Sequence, residues 1–425
     1  MAEPLKVVLL ALNAPGYQSL ALGYLRAYAE SDRRLQGRVA FQTLDLSSAD
    51  DAWWVAYRVV GLEPDVLAVS VMCWNARQVY DICRIVRTAL PETRIVLGGP
   101  EVGPIAAEVL DTHPEVEAVV RGEGEEAFAD VLDLARRGKP FTRADGVTAR
   151  DASGEPVAAP DRALIADLDT IPSPYLSGVM EPAEGVAYIE TYRGCPHRCA
   201  YCFEGKGYGR IRSFGRERVA AEIAHLAGER GIRAFSFIDP VFNLTDERLA
   251  WLSDTLAPFA ARGTRLHTVE VDIQRIDDEA AALLVRAGVE SVETGPQTIG
   301  AEALEACHRP FDAGRFAAGV AALKRRGIPV ECDLIAGLPG DTADDFLAGV
   351  AFVLSLDPGK IQTSTLHVLP GTELYVRAEE LGLRFDPEPP HEIVATSSIG
   401  FADLRRLEAR SIHLARVYAA RLTGV

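Results

Sequence analysis

The chain has 425 residues, 48% hydrophobic and 25% charged, which excludes a disordered or collagen-like polypeptide and allows two or three domains. Its 61 acidic against 44 basic residues leave a net charge of -17, and with no run of Lys and Arg to offset it a nucleic-acid partner is disfavoured. The apolar runs are too short to span a bilayer, and the start MAEPLKVVLLALNAPG lacks the marks of a signal peptide, so a soluble cytoplasmic protein with no membrane partner is expected.

From the N-terminus, KVVLLAL, RVAFQTLDL, VLAVSVM, RIVLGGP and EAVVRGEGE read as five strands separated by amphipathic helical stretches. Continuous apolar strands spaced by helices predict a doubly wound parallel sheet covered on both faces. Ligands of such sheets sit beyond the carboxyl ends of the strands. Those ends carry Asn13 with Pro15-Gly16, the run Ser70 to Asn75 containing Met72, Cys73 and Trp74, then Gly98-Gly99-Pro100, and Gly122-Glu123-Gly124. Each glycine could do no more than turn a strand into a helix, but four such loops on one edge predict a ligand platform. No Gly-x-Gly-x-x-Gly follows the first strand, which argues against a dinucleotide site.

Residues 141–184 break the pattern, with a hairpin turning at Ala152-Ser153-Gly154 followed by a linker. A second alternation begins at Gly185: VAYIETYRG, AFSFIDP, RLHTVEVDI, SVETGPQT, VECDLIAGLPG and IQTSTLHVLPGT are six strands with helices between them. Six such units predict a partial (β/α)6 TIM-like barrel, with chemistry at the strand ends. The expected division is a 1–140 Rossmann-like domain, the 141–184 segment, a 185–372 barrel and a helical 373–425 tail.

Three of the seven cysteines crowd directly after the first barrel strand, in Cys195-Pro-His-Arg-Cys199-Ala-Tyr201-Cys202-Phe203. An odd count and this crowding suit a ligand set better than disulfides. A structural zinc would want a fourth ligand, with His197 or His225 as distant candidates, whereas three thiolates on one loop can hold three irons of a 4Fe-4S cluster and leave the fourth open. Cys73, Cys83, Cys307 and Cys332 are scattered and read as buried thiols.

This Cys-x3-Cys-x2-Cys loop, with Tyr201 before its last cysteine, resembles the signature of the radical S-adenosylmethionine superfamily. The resemblance implies Cys195, Cys199 and Cys202 as metal ligands and S-adenosylmethionine as a second cofactor. Its contacts would fall on Tyr201, Phe203, Asp239 at the second strand end, Glu270 at the third, Glu293 and Gln297 on the fourth, and Arg309 beyond it. The Gly98 and Gly122 loops ahead of this barrel resemble the cobalamin-binding subgroup of that superfamily. Cobalamin would then contact Asn13, Ser70, Met72, Cys73, Trp74, Asn75, Gly98, Gly99, Gly122, Glu123 and Gly124, with no histidine on cobalt because the first loop offers none.

The function implied by this resemblance is a cobalamin-dependent radical methyltransferase. It would act on an unactivated carbon of a small metabolite or natural-product intermediate, through methylcobalamin and a 5'-deoxyadenosyl radical, and would need an external one-electron reductant of flavodoxin or ferredoxin type. The alternatives are a radical cyclase or rearrangement enzyme, in which cobalamin plays a non-methylating role or its domain is vestigial, and a metal-containing binding protein without catalysis. No side chain is assigned a catalytic role.

Overall fold

The computed structural model describes residues 3–203 and 210–423, in two compact units, Met1–Glu184 and Gly185–Val425. In the first unit β1 (Leu5–Asn13), β2 (Val39–Ser47), β3 (Val66–Ser70), β4 (Arg94–Gly98) and β5 (Ala118–Val120) form a parallel sheet in the order β2-β1-β3-β4-β5. Two further strands, β6 (Val147–Arg150) and β7 (Pro156–Ala158), extend it to seven. They are the two arms of the expected hairpin, and β6 pairs antiparallel with β5.

The interior strand β1 is buried on both faces, which is why its sequence runs apolar without alternation. Val8, Leu10 and Leu12 pack with Val55, Val79 and Val109 from three helices on one face, while Val7, Leu9 and Ala11 pack with Leu22 and Phe128 on the other. The period of two in side-chain direction thus divides one apolar run between two cores.

The second unit begins with β8 (Val186–Ile189) and β9 (Tyr192–Arg193), and β9 pairs antiparallel with β10 (Arg212–Ser213) beyond the cysteine loop. The barrel continues with β11 (Ala234–Phe237), β12 (Arg265–Leu266), β13 (Val269–Glu270), β14 (Val292–Gln297), β15 (Val330–Ala336) and β16 (Lys360–Thr365). The expected third strand is interrupted at His267-Thr268, so that β12 pairs with β11 and β13 with β14. All the barrel pairings are parallel and follow chain order.

The helices between these strands start at side-chain caps: Thr245 accepts from Arg248 N, Asp277 from Ala280 N and Asp312 from Arg315 N, while Thr342 and Asp345 form a capping box. The tail, which carries no legible motif, has a structural task. Its helix Phe401–Thr423 packs along β16, and the Tyr418 hydroxyl donates to Pro358 O at 2.7 Å. Among the described residues no helix is long and apolar enough to cross a membrane.

Candidate active site

The three clustered cysteines follow β9, where the chain leaves the sheet at the C-terminal ends of the barrel strands. Gly194 enters this loop with φ +99, a left-handed conformation costly for other residues, and a Cβ there would lie 3.2 Å from Arg210 O. Between the second and third cysteines, Ala200 is held on both its backbone groups. Its N–H donates to Cys307 O at 3.0 Å, and its carbonyl accepts from Leu374 N at 3.1 Å. The start of the tail therefore secures the cysteine loop, a long-range contact with no local signal in the sequence.

All three thiols are free of disulfides, with Cys199 buried and Cys195 and Cys202 half-buried. Arg309 reaches Cys199, its Nη1 donating to Sγ at 3.3 Å while Nη2 donates to Gly295 O. Gly295 lies where β14 bulges, because Pro296 has no N–H to give to the ladder. The next residue, Gln297, takes φ +63, an uncommon conformation for a non-glycine residue. The Tyr201 hydroxyl is buried beside Arg309 and Cys199, and burial pushes its pKa up. His197, between the first two cysteines, turns Nε2 toward Asp272 Oδ2 at 3.6 Å.

The other expected contacts separate into distinct roles. Asp239 is buried and fully engaged: it pairs with Arg248, and it accepts from Thr191 N at 2.7 Å and from Thr191 Oγ1 at 2.6 Å. Arg248 also stacks over the Tyr192 ring, whose hydroxyl bonds Val241 N and O. Asp239 therefore clamps the second strand end to the strand that leads into the cysteine loop. Beside it, the Asn243 amide exchanges hydrogen bonds of 2.9 Å with Asp272 N and O, fixing the third strand end in the same way.

Glu270, Glu293, Glu331 and Lys360 share one rung across β13 to β16, near the beginnings of β14, β15 and β16. Gln297 lies four residues further along β14, roughly 13 Å at the usual strand rise. Glu293 is thus placed in a carboxylate cluster, one of its oxygens within 4.8 Å of one from Glu331 and one from Asp333. Burial pushes the Asp333 pKa up to about 9, with Glu293 and Glu331 adding to the shift, and burial also raises that of Glu293.

A raised carboxyl pKa in the fold favours the protonated form. The associated stability is complete below the unfolded pKa near 4 and is lost as pH rises through about 9. Asp333→Asn, which cannot ionise, is expected to melt several degrees above the wild type at pH 8 and close to it at pH 5. The same difference at both pH values would contradict this assignment.

In the first unit the sheet's C-terminal edge is tied by its own side chains. Asn13 donates to Asp45, and the buried Asn75 bonds Met72 N, Leu12 O and Ser70 O. Glu123 accepts from Ile165 N. At Gly99 (φ +118) a Cβ would lie 2.3 Å from Val71 O, so this glycine serves the close approach of two loops; at Gly124 it would meet Leu25. Gly98 has ordinary clearance, and Gly122 (φ +71) faces open space. Trp74 is 57% and Tyr17 65% exposed, and Ser70, Met72 and Cys73 are half-buried. His113 follows the helix Ala106–Thr112 and precedes β5, at the opposite edge.

A three-thiol loop at the strand ends of a partial barrel, preceded by a doubly wound sheet, defines a metal-cluster enzyme with a separate cofactor domain. Residues 189–353 match the radical SAM superfamily and residues 35–132 the B12 binding domain, so one chain carries both of these domains. It is 28% identical over 404 residues to the cobalamin-dependent radical SAM methyltransferase TokK of Streptomyces tokunonensis, covering 90% of this chain and 58% of that one. It is 35% identical over 233 residues to the 2-(S-pantetheinyl)-carbapenam-3-carboxylate methyltransferase of Streptantibioticus cattleyicolor, covering 52% and 34%. The chain thus spans less than two thirds of the length of these curated relatives. Its fold is similar to that of the radical S-adenosylmethionine methyltransferase TsrM from Kitasatospora setae, solved with tryptophan substrate and a SAM analog. The TM-score is 0.74 at 19% identity, covering 95% of this chain and 88% of that one.

The radical SAM domain implies a 4Fe-4S cluster and S-adenosylmethionine, and the B12 binding domain implies cobalamin. The donors present fit the cluster: three thiols on one secured loop, one of them already facing a cation. The remaining cysteines lie outside this loop; burial pushes the thiol pKa up to about 11 at Cys73 and to about 12 at Cys307 and Cys332, and raises it at Cys83. The open space at Gly122 and the exposed Trp74 and Tyr17 fit a flat group held by contacts. His113, the one histidine of the first unit, lies at the opposite edge from these loops.

Proposed function

We propose that the chain is a cobalamin-dependent radical methyltransferase that transfers a methyl group to an unactivated carbon of a small metabolite or natural-product intermediate. The observation that carries this reading is the secured three-thiol loop at the barrel's strand ends, in a chain that also carries a B12 binding domain. The two curated relatives, both named as methyltransferases, support methyl transfer over cyclisation or rearrangement.

Cys195, Cys199 and Cys202 hold the cluster, and Tyr201, Phe203 and Gln297 border S-adenosylmethionine at the strand ends. Bound together, the cofactors supply one-electron cleavage of the sulfonium to a 5'-deoxyadenosyl radical and a transferable methyl on cobalt. The chain's own share is positional. Ala200 keeps the cysteine loop seated, and Asp239 with Arg248 and Asn243 with Asp272 hold the strand ends around it. The Trp74 and Gly122 loops hold the corrin, a cytoplasmic flavodoxin or ferredoxin supplies the electron, and nucleic acid has no part.

The experiment needs no substrate. Anaerobically loaded, reduced protein is given S-adenosylmethionine carrying a deuterated methyl group. S-adenosylhomocysteine, together with the label in the corrin fraction, is the expected result. 5'-Deoxyadenosine with neither of these would remove methyl transfer and favour a radical cyclase or rearrangement enzyme, and no product at all would favour a binding protein.

A further inference from the structure

We propose that Arg309 sets the reduction potential of the cluster through its hydrogen bond to the Cys199 sulfur. The inference rests on the reading of the three-cysteine loop as a cluster site, and goes beyond it by giving this arginine a role toward the sulfur. A contact with the carboxylate of S-adenosylmethionine would occupy only some of the five guanidinium N–H groups and leave others for the sulfur. Here Nη1 donates to Cys199 Sγ at 3.3 Å, and Nη2 is taken by Gly295 O.

The guanidinium is also held from its own backbone. Arg309 N donates to Leu304 O at 2.9 Å, and two residues earlier Cys307 O accepts from Ala200 N at 3.0 Å. One short segment therefore binds the cysteine loop through its main chain and the ligand sulfur through its side chain. His308 between them takes φ +53, the turn that brings both contacts to the same loop.

Cluster potentials respond to hydrogen bonds at the sulfurs and to local charge. A reduced cluster carries one more negative charge, so a fixed cation with an N–H on the sulfur stabilises it and raises the potential. Cys199 is buried and Arg309 half-buried, which limits screening by water and strengthens the effect.

The test is a redox titration of the reconstituted protein, followed by electron paramagnetic resonance without S-adenosylmethionine, on wild type, Arg309→Met and Arg309→Lys. At a fixed applied potential, Arg309→Met is expected to show at least a tenfold lower ratio of reduced to oxidised cluster, about 59 mV for one electron. Arg309→Lys, which keeps the charge, is expected to fall between the two. An unchanged ratio in Arg309→Met would overturn the proposal, while wild-type protein that binds no iron would fail the cluster reading itself.

Should Arg309→Met not load, wild-type protein labelled with 15N-arginine decides by pulsed resonance. A nitrogen coupling to the reduced cluster that disappears in labelled Arg309→Lys supports the bond. No coupling, or one that persists in that variant, overturns it.

Discussion

Alanine at Cys195, Cys199 or Cys202 is expected to abolish both iron binding and cleavage of S-adenosylmethionine. Wild-type protein reconstituted anaerobically should carry about four irons, because three thiolates on one loop leave the cluster no spare protein ligand. The four other cysteines are scattered along the chain, outside this loop. Alanine at Cys83 or Cys332 should leave the iron content unchanged. Full iron occupancy in a Cys199→Ala protein, or zinc in place of iron in the wild type, would contradict the ligand assignment.

The second large effect is one of stability. Asp239→Ala removes the partner of a buried arginine and leaves the Arg248 charge uncompensated, at a cost of about 3–5 kcal/mol. Thr191 loses its acceptor for both N–H and hydroxyl, which loosens the strand that leads into the cysteine loop. Urea unfolding of the apo-protein should show a clearly lower midpoint for the second unit, with iron loading reduced in consequence. Replacing both partners with apolar residues, Asp239→Leu with Arg248→Met, should recover much of the loss, since the penalty comes from the unpaired charge. An unchanged midpoint in Asp239→Ala would return this carboxylate to the role of a ligand contact.

The contrast between Cys199 and Asp239 shows which features were legible in the sequence. The cysteine motif is local, and its spacing is enough to carry the family resemblance that implies its chemistry. Asp239 also stands at a strand end, where a ligand contact is expected, but its task is decided by Arg248 on the following helix. A signal for that pair exists, since Arg248 falls on the buried stripe of its helix with Leu252 and Leu256, where a charge needs a partner.

The same distinction holds for the sheets. The apolar run of β1 announces a strand buried on both faces, whereas the pairing of β6 with β5, which extends the sheet past its five parallel strands, is a long-range contact with no periodicity to mark it. RLHTVEVDI reads as one strand because no Gly or Pro interrupts it, yet its halves serve different neighbours. The glycine loops were legible as an edge, but not the division within them: Gly99 is required by the Val71 carbonyl, and Gly122 by its own backbone angle.

The central claim is that one chain holds both an iron-sulfur cluster and cobalamin, the latter without a histidine on cobalt. The most direct test is to reconstitute the protein anaerobically with iron, sulfide and hydroxocobalamin, desalt it, and measure iron and the corrin absorption band. The account predicts about four irons and about one equivalent of corrin, in the wild type and equally in His113→Ala. Protein that keeps its iron but emerges without a corrin band would contradict it and leave a radical enzyme with a vestigial first domain.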